Sequence, residues 1–417
     1  MNENEVNILQ RRTVKVLTTG QILGGFALGS TLSIGSLLAA ELSGSPAWAG
    51  AAATFSTLGA ASWAIPLARL ANAKGRKVSL ATGAGIAILG AVFVITSATI
   101  GFFPLLLLAL FLLGGGSAAG LQARFAAVDL DSASARSTGR DLSTVVWATT
   151  IGAVIGPNLF GPGEYIGKLI GLPTMTGPFL FTIVAQLAAA TVFWFGLRPD
   201  PLLVAKRLDQ AKGGLKPKVS FASAISTLRK YPIAFFAVSS IALSHMVMVA
   251  VMSMTPLHMH HMGYDLVVVG FTISLHIAGM YAFSPIFGWL SDRIGKVRVV
   301  LLGQVIYVAA LAIAGFGQHD RTLVTIGLFL LGLGWSAATV AASALLASTL
   351  PVQEKTNVQG LSDMSMNLAG ALGGAVSGSI LASIAFLGLN AAAFIPVAII
   401  VIFSAVTRLK TGPNPVK

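Results

Sequence analysis

Apolar residues run along this chain in long blocks, with the polar residues gathered in short clusters between them. The blocks at 17–40 and 78–100 contain no charged residue. Each is longer than the roughly 20 residues an α-helix needs to cross the hydrocarbon core of a bilayer. Backbone amides placed there must bond within their own segment, so the blocks predict helices. The same reading predicts twelve spans, near 17–41, 48–70, 78–100, 103–128, 143–162, 177–197, 233–257, 265–290, 299–317, 322–348, 358–387 and 389–408. The stretch before the first span is too polar for a signal peptide, so that span is expected to be retained as a helix.

The polar clusters orient these spans. With the N-terminus in the cytoplasm, all of the 27 Lys and Arg residues except Lys168 and Arg321 fall on the cytoplasmic side. Such asymmetry is how short loops set topology. It predicts a multi-pass membrane protein with both termini in the cytoplasm. The same distribution explains the net charge of +13. With no basic helix interleaved with aromatics, no nucleic-acid partner is predicted, and the partner is the lipid bilayer. Composition agrees: 55% of the residues are hydrophobic and 10% charged, against about a quarter charged in soluble domains. The chain has no cysteine, which excludes disulfides and thiolate chemistry.

The longest polar stretch, 198–232, separates two halves of six spans each: an N-terminal bundle at 1–197 and a C-terminal bundle at 233–417, with a cytoplasmic linker between. The halves repeat a loop. Ala68-Arg-Leu-Ala-Asn-Ala-Lys-Gly-Arg-Lys77 follows span 2, and Gly288-Trp-Leu-Ser-Asp-Arg-Ile-Gly-Lys-Val297 follows span 8. Internal repeats are a common construction among secondary transporters. The second copy resembles the signature of the major facilitator superfamily through Gly288, Leu290, Asp292, Arg293, Gly295 and Lys296. The resemblance implies an all-α membrane protein of the major facilitator fold, twelve transmembrane helices in two six-helix bundles. It also implies a gating role for Asp292, Arg293, Gly288 and Gly295. The first copy has Ala68 and Asn72 where the signature has glycine and aspartate, which puts a charged latch in that half in doubt. Gly152, Gly156 and Pro157 in span 5 resemble a glycine–proline motif of proton-coupled drug exporters. Close helix packing is the equal alternative, since small residues let helices approach and proline bends them. Arg124, at the end of span 4, is expected to snorkel or to pair with Asp129 or Asp131.

Soft ligands change the picture further. The chain has 11 Met and 6 His, and most of them lie between positions 245 and 280. Met248 and Met252, four apart on span 7, share one helix face, as do His276 and Met280 on span 8. His245 extends the first stripe by one turn, and Met246 and Met254 are accessory candidates. A second group, His258, Met259, His260, His261 and Met262, follows span 7 and is expected at the outer mouth, where it would capture a metal. Thioether and imidazole donors without carboxylates or thiolates suit Cu(I) rather than Mg, Ca or structural Zn. A methionine stripe alone more commonly packs a core; the pairing of two ligand pairs at matched spacing is what favours a metal. The pattern Met248-x-x-x-Met252 with His276-x-x-x-Met280 resembles the CcoA-type bacterial copper importers. That resemblance implies those four residues as copper ligands and uptake that supplies cytochrome oxidase assembly.

These features predict a carrier, not an enzyme, that imports copper by alternating access. Copper is its substrate and no cofactor is expected; a cytoplasmic copper acceptor would be of unknown identity. The alternatives are an importer of riboflavin or another small organic solute, since riboflavin transporters belong to the same branch, and a proton-coupled drug exporter. An organic cargo would favour an aromatic cavity, and spans 7 and 8 hold few aromatics. An exporter usually needs a buried carboxylate, and Glu41 and Asp265 lie only near span ends.

Overall fold

The computed structural model describes residues 3–44, 48, 51–130, 138–158, 160–211, 221–264 and 266–411. Among these the regular structure is helical. The N-terminal part contains α1 (Glu3–Ser43), α2 (Ala51–Lys74), α3 (Arg76–Ile100), α4 (Phe103–Ala126), α5 (Thr138–Asn158), α6 (Phe160–Leu169) and α7 (Pro178–Gly196). Two short helices follow, α8 (Pro201–Ala211) and α9 (Phe221–Lys230). The remainder is α10 (Pro232–His261), α11 (Leu266–Tyr281), α12 (Ser284–Ile294), α13 (Lys296–Phe316), α14 (Arg321–Thr349), α15 (Val352–Ala392) and α16 (Phe394–Thr411).

Each expected span overlaps helical structure among the described residues. Nine helical stretches among the described residues are long and apolar enough to cross a membrane. Span 8 is built from α11 and α12 in succession. The last two spans meet inside α15, where Ile384 (φ −133°, ψ 21°) and Ala385 (φ 58°, ψ −175°) leave helical geometry. The short helices α6, α8 and α9 were not anticipated. The expected loop after span 7 is also partly absent: α10 stays helical to His261, so His258–His261 form its last turn.

The chain packs as two compact units. One comprises Met1–Ser134, Thr144–Ser223 and Val352–Asn367; the other comprises Ala135–Ser143, Ala224–Pro351 and Leu368–Lys417. In the first, Leu17, Leu67, Leu80 and Phe193 meet in a buried apolar cluster drawn from α1, α2, α3 and α7. Small residues set the helix spacing. A Cβ added at Gly59 of α2 would lie 2.0 Å from the Phe111 carbonyl oxygen of α4, and one at Gly114 would lie 2.2 Å from the Ser56 carbonyl oxygen. The second unit is centred on Val247, Met248, Met280, Tyr307, Trp335 and Phe386, with Met252 and Met254 packed against them.

The repeated loops adopt the same turn. Gly75 (φ 92°) and Gly295 (φ 99°) each stand alone between two helices in a conformation that favours glycine. The carboxylate of the second copy then reaches backward. Asp292 accepts from the backbone N–H groups of Gly139 and Arg140, both at 3.0 Å. These are first-turn amides of α5, which have no partner within their own helix. Gly288 permits the approach, since a Cβ there would lie 2.4 Å from the Gly139 carbonyl oxygen. Arg293 takes no part in these bonds; its guanidinium lies 5.1 Å from the Trp289 ring. In the first copy the amide of Asn72 does neutral work instead. It donates to Asn357 Oδ1 at 2.7 Å and accepts from Lys206 Nζ at 2.7 Å.

Candidate functional site

Met248, Met252, His276 and Met280 all lie in the second unit. Met248 and Met280 are buried in its core, and Met252 packs against the same cluster. The helix that organises them is α14. Its Gly332 meets α11 backbone to backbone: a Cβ at Gly332 would lie 2.4 Å from the His276 carbonyl oxygen and 3.0 Å from the Met280 nitrogen. Gly279 is its counterpart on α11, where a Cβ would lie 2.6 Å from the Phe329 carbonyl oxygen.

This crossing decides the chemistry of His276. Its Nδ1 lies 2.7 Å from the Leu328 carbonyl oxygen. A carbonyl only accepts, so Nδ1 carries the hydrogen and donates it. Nε2 then bears a lone pair. His276 is fully buried, and Nε2 finds no hydrogen-bond partner among the described residues. A histidine that donates one ring N–H to a backbone carbonyl and presents the other nitrogen as a lone pair is oriented as metal-binding histidines are. Among the described residues no three His, Cys, Asp or Glu side chains gather as a metal cage.

The accessory candidates separate. His245 Nδ1 accepts a hydrogen bond from Trp335 Nε1 at 3.0 Å, which occupies that nitrogen. Met246 and Met254 face α15, where their atoms lie 3.1 Å and 3.9 Å from a Cβ placed at Gly373 and Gly378. The group expected at the outer mouth separates as well. His258 Nε2 bonds the Gln318 carbonyl oxygen at 2.8 Å, and its ring stacks on Phe386 at 4.2 Å. Met259 is buried in a small apolar cluster with Val269 and Val324. Met262 is exposed. The side chains of His260 and His261 lie outside the described residues.

The sequence understated two things. Aromatic side chains arrive from other helices: Trp335 and Tyr307 belong to the same cluster as Met248 and Met280, and Tyr281 meets Trp335 edge-on at 5.6 Å. Buried carboxylates are also present, contrary to the expectation of acids only near span ends. Asp363 lies about three turns into α15 and is fully buried. Arg124 neither snorkels nor pairs with Asp129. It is buried and bonds Asp363 Oδ1 through Nη2 at 2.5 Å. Asp129 pairs instead with Arg76, at 2.7 and 3.1 Å, and Arg76 also bonds Gln359 at 2.8 Å. Asp131 lies outside the described residues. In span 5, Gly152 performs close packing: a Cβ there would lie 2.1 Å from the Ile22 carbonyl oxygen and 2.7 Å from the Gly25 Cα of α1. Gly156 and Pro157 lie in the last turn of α5.

Comparison with known proteins agrees with this architecture. The family model of the Major Facilitator Superfamily matches residues 17–280 and 240–417. The uncharacterized MFS-type transporter YdeG of Bacillus subtilis (strain 168) is 37% identical over 92% of this chain and 88% of its own length. The riboflavin transporter RfnT of Brucella anthropi is 26% identical over 96% of both chains. Among solved structures, the human organic anion transporter MFSD10 superposes with a TM-score of 0.72 at 16% identity, covering 95% of this chain and 99% of its own. A bacterial homologue of the iron transporter ferroportin gives 0.71 at 15% identity, covering 94% and 98%. At these identities the structural likeness bears on the fold alone.

Proposed function

The chain belongs to the major facilitator superfamily, and from that premise we propose that this transporter imports copper as Cu(I) across a bacterial inner membrane. Met248, Met252, His276 and Met280 supply the ligands. The observation that carries the reading is the buried, unpartnered Nε2 of His276, aimed by the Leu328 carbonyl. An orphaned buried acceptor costs stability, and a soft cation would satisfy it. Met280 one turn further along α11 and Met248 across the cluster offer thioether sulfur, which prefers Cu(I) over harder ions. Neutral donors hold a monovalent ion without trapping it, as release to the cytoplasm requires. The resemblance to CcoA-type importers supports the same assignment.

A second reading is an importer of riboflavin or a similar flat organic solute. The Trp335–Tyr281 pair beside the methionines favours it, as does the 26% identity to RfnT. Radioactive copper and riboflavin uptake, measured in parallel in expressing cells, decides between them. The copper reading expects copper uptake above the vector control, falling about tenfold or more in His276→Ala, in line with the loss of a metal contact. Unchanged copper content together with raised riboflavin uptake would establish the second reading.

A further inference from the structure

Two buried ion pairs of the first unit are built differently. Asp129 is bonded at both oxygens by one guanidinium. Asp363 is bonded at Oδ1 alone, while its Oδ2 and Arg124 Nε are buried and find no partner. A carboxylate bonded at both oxygens by one guanidinium has both of them satisfied. A half-bonded one, wholly out of water, is costly to keep charged. Ionisable groups inside a membrane protein are functional by default, because little else justifies that cost.

We propose that Asp363 is the proton-binding site of this carrier, so that proton movement drives cargo movement. The proton binds Oδ2, and no other bond is made or broken except the ion pair. The carboxyl becomes neutral while Arg124 keeps its charge. A buried guanidinium without its anion is unstable, so protonation favours the arrangement in which α4 and this stretch of α15 lie apart. Deprotonation restores the pair and draws them together. The surroundings suit such a switch. Towards α3, Arg76 with Asp129 stands behind Gln359, the neighbour of Asp363 one turn earlier on α15. Towards the start of α15, Lys206 bonds Asn72 and Asp209 bonds Gln353. The α2 face is apolar, with Ala64 and Ala68 against Gly360. Arg124 is thus the one cation in direct contact with Asp363 among the described residues.

The inference extends to the driving force and does not depend on which cargo is carried. Infrared difference spectra of the purified carrier between acidic and neutral buffer test it without cargo. The wild type should show a carboxylic-acid C=O band that is missing in Asp363→Asn and displaced in Asp363→Glu. An identical band in all three proteins overturns the proposal. In proteoliposomes with the membrane potential clamped, a pH gradient of one unit supports up to about tenfold copper accumulation for one proton per ion. The ratio of accumulation with and without the gradient should fall to about one in Asp363→Asn and survive in Asp363→Glu. A ratio lost equally in both variants marks a structural role and also overturns it. A wild type that moves no copper sinks the cargo reading alone, because the infrared result still decides the proton site.

Discussion

At the scale of single residues, the ligand assignment separates from a packing role by volume-conserving substitution. Leu replaces Met in a core at a cost below about 1.5 kcal/mol but lacks sulfur. Met248→Leu and Met252→Leu should therefore fold normally, with melting temperatures close to wild type, yet lose copper uptake by about tenfold. Unaltered uptake would leave these methionines as core residues only. The spacing of these residues was legible in the sequence because helical periodicity turns positions four apart into neighbours. What was not legible was orientation. The pairing of His276 with the Leu328 carbonyl depends on a helix 52 residues away, and no local pattern announces it. Arg76 was misread for the opposite reason. A one-residue turn at Gly75 makes it look like a loop charge, but it is the first residue of α3 and completely buried. Asp363 falls inside the expected span 358–387, but its partner Arg124 is 239 residues away and no local pattern announces the pair.

At the scale of helices, two contacts carry consequences for the site. Gly332→Ala leaves every candidate ligand side chain in place, but its methyl group would collide with the backbone carbonyl oxygen of His276 at 2.4 Å. Such overpacking costs about 1–3 kcal/mol and should push α11 away from α14. Copper uptake should fall in this variant, together with a lower melting temperature in detergent. Asp292→Ala should remove the cap on the first turn of α5, at a cost of about 1 kcal/mol, measurable as a drop in thermal stability. Asn72→Ala should cost stability through Lys206 and Asn357, two partners that Asp292 has no counterpart for. The helices themselves were legible because uninterrupted apolar blocks leave the backbone no alternative. The breaks were less so. Span 8 divides after Tyr281, with Pro285 in the first turn of α12, whereas α15 bends at Ile384–Ala385 with no proline at the bend.

At the scale of the molecule, the placement of cationic residues predicts which loops face the cytoplasm. The chain has no native cysteine, so single cysteines report on sidedness without background. Lys74→Cys should react with an impermeant maleimide only in inverted vesicles, and Lys168→Cys only in intact spheroplasts. The reverse pattern would overturn the assigned orientation. The fold was legible at this scale because it rests on composition, on the charge asymmetry and on a loop written twice. The cargo was not, because it depends on a handful of side chains gathered from helices far apart in the sequence.

That twice-written loop has a consequence for how the two halves differ. Both copies have a solitary glycine at positive φ between their helices, Gly75 and Gly295, while one carries an acid, Asp292, where the other carries an amide, Asn72. The bend is therefore common to both copies, while the charge is not. A chain with aspartate at both sites, made by Asn72→Asp, should fold to the same turns, because the glycine sets the path of the chain and the side chain three residues before it only fastens it.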